Sequence, residues 1–198
     1  MVAPDYRERC DLLFDLFRIS REAGRDPKAI LAVQVGLTEL LIHFQEKKRE
    51  FSKDDNALGS AITKRLILIL KQVGDSIVWR ALGYNRILVQ LLSEHPDTGY
   101  LDDTVFSDLS IAHKIIKDEG SIVLVNDLTN VLRHGDLTIL GQNGCSILET
   151  KHGKATGKNR RAIRQRRNLD EMMRFYNVGY RTNEGLREFI LSQCQTIT

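Results

Sequence analysis

The dipeptide Asn143-Gly144 lies between two short apolar segments, Asp136-Leu-Thr-Ile-Leu140 and Cys145-Ser-Ile-Leu-Glu-Thr-Lys151. Asn-Gly suits the positive φ angles of a tight hairpin turn, and its flanks are too short for helices. The chain is therefore expected to carry an antiparallel hairpin here, with Ser121-Ile-Val-Leu-Val-Asn126 as a preceding strand. A two-residue turn at Asn143-Gly144 would set Thr138 opposite Glu149 and Asp136 opposite Lys151. Side chains alternate between faces along a strand, so Asp136, Thr138, Glu149 and Lys151 would share one face. Asp136 and Glu149 would be diagonal neighbours, roughly 7 Å apart at Cα.

Upstream of residue 120 the apolar period is that of helices. Leu12, Leu13, Leu16, Phe17 and Ile19 mark one between Pro4 and Gly24, and Asp26-Pro27 reads as the cap and first residue of the next, which runs to Phe51. A third runs through Ile62, Leu66, Ile69, Leu70 and Val73, and Gly74 is expected to divide it from a fourth spanning 75–94. His95-Pro-Asp-Thr-Gly99 breaks the pattern, and Thr104 to Asp118 resumes it until Gly120. Downstream of Lys151, helices are expected at 158–177 and 183–193. The fold class read from this order is α/β of the α+β kind: a helical region over 1–95, then a core over 100–198 ordered αβββα.

Composition is that of a folded soluble chain, with 42% hydrophobic and 28% charged residues among 198. Its net charge of +3 conceals an asymmetry. Residues 151–198 hold 11 of the 29 Lys and Arg and 4 of the 26 Asp and Glu, a net of +7, which leaves −4 for residues 1–150. A basic C-terminal quarter implies a polyanionic partner. Cys10, Cys145 and Cys194 are odd in number and widely spaced, as expected of reduced thiols rather than a disulfide framework or zinc knuckle. The N-terminus is charged, and no purely apolar run is longer than the five residues of Leu66 to Leu70, so the reading is a cytoplasmic protein without membrane association.

Two carboxylates side by side with an ammonium are suited to metal-assisted hydrolysis of a phosphodiester. A hard divalent cation offsets their repulsion through oxygen coordination, activates water and stabilises charge on a phosphoryl oxygen. Gly135-Asp136, twelve intervening residues, then Glu149-Thr150-Lys151 resembles the PD-(D/E)XK, or restriction-endonuclease-like, nuclease superfamily. The resemblance implies an αβββαβ core. It also implies Mg²⁺ (with Mn²⁺ as an alternative) bound by Asp136 and Glu149, and Lys151 assisting the attacking water. It places an additional acidic residue on the first core helix, for which Glu94 and Asp108 are both candidates. Gln165 is similar to the glutamine of the RecB-like branch. Members of the superfamily act in phage defence and DNA repair. The chain departs from the signature in having Gly at 135 where the name has Pro, and in showing no evident fourth strand.

Eight Lys and Arg and no acidic residue fall between Lys151 and Arg167. Arg160, Arg164 and Arg167 recur at helical spacing, with Arg161 beside them, while Lys154 and Lys158 sit in a glycine-containing loop. Such a surface neutralises phosphates and binds nucleic acid with little sequence preference. The expected activity is therefore a nuclease, with DNA the favoured substrate and the helical region serving a homodimer or larger complex. The alternative is a non-catalytic nucleic-acid-binding or assembly subunit. His134, His152 and Arg133 flank the proposed site but read more simply as structural or exposed, and Trp79 reads as a core anchor.

Overall fold

Three helix starts in this chain are set by side-chain oxygens that satisfy the unpaired amides of a first turn. Asp26 accepts from the amides of Lys28 (3.3 Å) and Ala29 (3.2 Å), Asn56 from Gly59 (2.9 Å) and Asn85 from Leu88 (3.1 Å). The computed structural model describes residues 4–93, 101, 103–132, 135–141 and 144–150. Among them are five helices, α1 (Pro4–Glu22), α2 (Pro27–Lys53), α3 (Ala57–Ala81), α4 (Arg86–Leu92) and α5 (Thr104–Glu119). Gly120 ends α5 in the left-handed conformation, with φ of 66°. The sheet follows as β1 (Ile122–Val125), β2 (Leu137–Gly141) and β3 (Gly144–Leu148), antiparallel in the order β1-β2-β3. The described fold is thus mixed α/β, a helical assembly carrying a small antiparallel sheet. The helices expected at 158–177 and 183–193 lie outside the described residues.

Gly74 does not divide a helix. It sits inside the continuous α3, because a lone glycine costs a helix only about 1 kcal/mol. Its use is tertiary: a methyl group at this position would run into the carbonyl oxygen of Leu128, in the 3-10 turn Asn126–Leu128 that follows β1. The break comes instead at Gly83 and Tyr84, both at positive φ, after which Asn85 caps the short α4.

One hydrophobic cluster joins the helical region to the strands. Ile30, Leu37, Leu41 and Phe44 of α2 are fully buried and share that cluster with Leu70 and Val73 of α3, Ala112 of α5 and Val123 and Leu124 of β1. Burying a side chain of this size stabilises by roughly 1.5–3 kcal/mol. Length and composition alone would let α2 cross a bilayer, yet its apolar face is spent on this core. Trp79 packs against the same cluster, as expected of a core anchor.

The hairpin forms in a register two residues from the expected one. Gly141 pairs with Gly144, so Thr138 faces Ile147 rather than Glu149. Gly144, expected in the turn, is instead the first residue of β3, at a φ of 125°. A shift of two conserves the side-chain faces, whereas a shift of one would invert them. A further departure begins at Asp136. Its amide donates to the Leu148 carbonyl (3.0 Å) although Leu137 is the register partner of Leu148. Two residues facing one is a β-bulge, a device that re-aims a side chain at the end of a strand.

Candidate functional site

Asp136 is placed by its neighbours on both sides. The amide of Asn126 donates to the Asp136 carbonyl (2.9 Å), and its Nδ2 donates to the Gly135 carbonyl (3.1 Å). Thr138 Oγ1 donates to Asn126 Oδ1 (2.9 Å), so the asparagine holds the start of β2 at three points. Gly135 adopts φ of 65°, and a methyl there would press on Ile147 Cγ2 and the Leu148 carbonyl. Proline is confined to φ near −65°, so it could not take the conformation that Gly135 adopts here.

Thus aimed, the half-buried Asp136 meets Thr150. Asp136 Oδ2 accepts from both the Thr150 amide (2.5 Å) and the Thr150 hydroxyl (2.9 Å). The same hydroxyl lies 2.6 Å from Oδ1 of Asp108, a residue on α5 that is only 2% exposed. A helix, the bulged start of β2 and the segment after β3 thus converge on one threonine. Of the two acidic candidates for the first core helix, Asp108 contacts the threonine that also contacts Asp136, and Glu94 lies outside the described residues. Glu149 is exposed and directly precedes Thr150 in the chain.

A threonine hydroxyl has one proton to donate, and two carboxylate oxygens stand within hydrogen-bonding distance of it. Oxygen donors of this kind match a hard divalent cation rather than a thiophilic metal. No group of three or more His, Cys, Asp or Glu side chains that could hold a metal ion occurs among the described residues. The described part of the site therefore supplies a pair of carboxylates, with Glu149 adjacent along the chain.

Lys151, Gln165, Lys154, Lys158, Arg160, Arg161, Arg164 and Arg167 lie outside the described residues, as do Arg133, His134 and His152. Thr150 is the residue that sequence reasoning passed over, because its partner on α5 is 42 positions away. Its only local signal was a hydroxyl residue between an acid and a lysine.

Two other features stand apart from this cluster. Cys145 is buried, and burial pushes its thiol up to about 12, so it is a core group rather than a nucleophile. An open groove of about 390 Å³ is lined by Glu39, Ile42, His43, Glu46 and Phe106, none of them a predicted site residue.

No family model, no curated protein and no solved structure matches this chain. The likeness to the PD-(D/E)XK nucleases accordingly rests on the residues of the chain itself.

Proposed function

We propose that this protein is a metal-dependent nuclease that hydrolyses phosphodiester bonds, with DNA the favoured substrate. The observation that carries the reading is the convergence of Asp136 and Asp108 on Thr150, the middle residue of the Glu149-Thr150-Lys151 triplet. It gathers carboxylates at the end of the hairpin, next in sequence to a glutamate and a lysine. In this reading Asp136 and Glu149 hold Mg²⁺ or Mn²⁺, and such an ion activates water and neutralises charge on the scissile phosphate. Lys151 holds the attacking water or offsets the charge that develops in the transition state. Lys154, Lys158, Arg160, Arg161, Arg164 and Arg167 bind the phosphate backbone, with Gln165 beside them, in a manner weakened by salt. Association between copies through the helical region belongs to the same proposal, and the exposed Phe14, Phe17, Leu58 and Ile62 are the side chains it would cover.

The test is incubation of plasmid and single-stranded DNA with the protein in Mg²⁺ or Mn²⁺, comparing the wild type with Asp136→Ala and Lys151→Ala. The expected result is cleavage by the wild type alone. Equal activity in all three proteins would remove the assignment.

The Thr150 hydroxyl also favours a second reading, because its single proton lies within reach of one oxygen of each carboxylate and competes with a cation there. In that reading the chain keeps the nuclease-like arrangement and binds nucleic acid without turnover. Salt-sensitive DNA binding with no cleavage in either metal would select it.

A further inference from the structure

We infer that Thr150 is a positioning residue for cation binding, acting through Asp136 and linking it to the buried Asp108. The inference takes the cation site from the proposed function and assigns a role that neither the signature nor the charge pattern contains.

Thr150 places two donors on a single oxygen. Its amide and hydroxyl both reach Asp136 Oδ2, at 2.5 and 2.9 Å. Two donors of different origin, one on the backbone and one on the side chain, restrict rotation of the carboxylate about its terminal torsion. The hydroxyl contact to Asp108 at 2.6 Å then ties the carboxylate to α5, and α5 belongs to the hydrophobic core through Ala112 and Ile116. The carboxylate is therefore referenced to a rigid element rather than to the end of a hairpin. Preorganisation of this kind sets metal affinity, and removal of such a hydrogen-bonding partner typically weakens binding about 10–100-fold.

The hydroxyl also couples the two acids. With one proton it donates fully to one carboxylate at a time, and the negative charge of Asp108 competes with Asp136 for it. Were a cation held at Asp136, it would draw charge from that carboxylate, and the hydroxyl would then favour Asp108. Asp108 thus offers the hydroxyl an acceptor in the cation-bound state without itself having to be a ligand.

The experiment is calorimetric titration of the full chain with Mn²⁺, using the wild type, Thr150→Val and Thr150→Ser, with thermal unfolding recorded in the absence of metal. Valine keeps the shape and the backbone amide but removes the hydroxyl, whereas serine keeps the hydroxyl. The expected result is Mn²⁺ binding weakened at least tenfold in Thr150→Val and within about twofold of wild type in Thr150→Ser. Should Thr150→Val not fold, Thr150→Ala, which also lacks the hydroxyl and keeps the backbone amide, carries the same expectation. Unchanged Mn²⁺ affinity on loss of the hydroxyl, or no Mn²⁺ binding by the wild type, overturns the inference. Cleavage assays on the same proteins separate the two claims. A wild type that binds Mn²⁺ through Thr150 yet does not cleave DNA overturns the nuclease reading alone. A wild type that cleaves, with the metal requirement of Thr150→Val unchanged, overturns the positioning role alone.

Discussion

Gln34 of α2 is bonded to Val125 of β1 as a neighbouring strand would be. Its Oε1 accepts from the Val125 amide at 2.6 Å, while its Nε2 donates to the Val123 carbonyl at 2.9 Å. β1 is an outer strand of the sheet among the described residues, so its outward amides and carbonyls need partners once helices cover that edge. One side chain, only 3% exposed, supplies both. The helical region is thereby joined to the sheet by hydrogen bonds as well as by the shared core.

Replacing this glutamine should therefore cost more than a surface mutation. Gln34→Leu leaves one amide and one carbonyl of β1 buried without their partner, at about 1–3 kcal/mol each. Denaturant unfolding should show a loss of about 2–4 kcal/mol. A loss below about 1 kcal/mol would mean that the edge finds other partners.

Gly74 makes a prediction with an unusual sign. In an ordinary helix interior, glycine to alanine stabilises by about 0.5–1 kcal/mol. Here the added methyl meets the Leu128 carbonyl, a backbone group of the turn that leads to Asp136. Asp75, the next residue of α3, also holds this turn, accepting from Thr129 Oγ1 (2.5 Å) and the Asn130 amide (2.6 Å). Gly74→Ala should therefore lower the melting temperature, and a raised one would contradict the close approach.

Gly135 tests the bulge. Alanine there must adopt φ of 65° and crowd Ile147, so Gly135→Ala should cost at least about 1–2 kcal/mol. Gly135→Pro should do worse still, because proline cannot take a positive φ. Thermal unfolding of the two variants gives the order. A proline variant as stable as the wild type would rule out the bulge at Asp136.

Cys145 gives a pH dependence. Burial raises its folded-state value to about 12 from an ordinary 9, so the folded state retains a proton that the unfolded chain gives up. The stability due to the neutral thiol is fully present below pH 9 and is lost as pH rises from about 9 toward 12. Compared with Cys145→Val, the wild type should lose stability more steeply over that window in urea unfolding. In a Cys10→Ser, Cys194→Ser background, alkylation of Cys145 should also track unfolding. Rapid alkylation of the folded protein would show an accessible thiol.

Legibility in the sequence followed the range of the interaction. The cap at Asp26, the stop at Gly120 and the strand character of 121–126 depend on residues within a turn of one another, and each lies where the local pattern placed it. The hairpin was legible as a hairpin, but its register was not. Asn143-Gly144 admits more than one turn frame, and Gly141 opposite Gly144 was chosen by the packing of the strands. Gly74 looked like a break because a glycine in a helix is locally unfavourable, and only the carbonyl of Leu128 explains it.

Among the described residues the sequence by itself determined most of the helix and strand segments, though not the continuity of α3 through Gly74, and it marked Asp136 as a residue to look for. Propensity, capping and alternation act over a few residues and need no knowledge of the fold. Only the tertiary structure decided that Asp136 is aimed by a bulge at Thr150 and that Asp108 completes the contact. Those choices depend on α5, β2 and the end of β3 meeting in space, and hydrogen bonds across 14 and 42 positions leave no trace in local pattern.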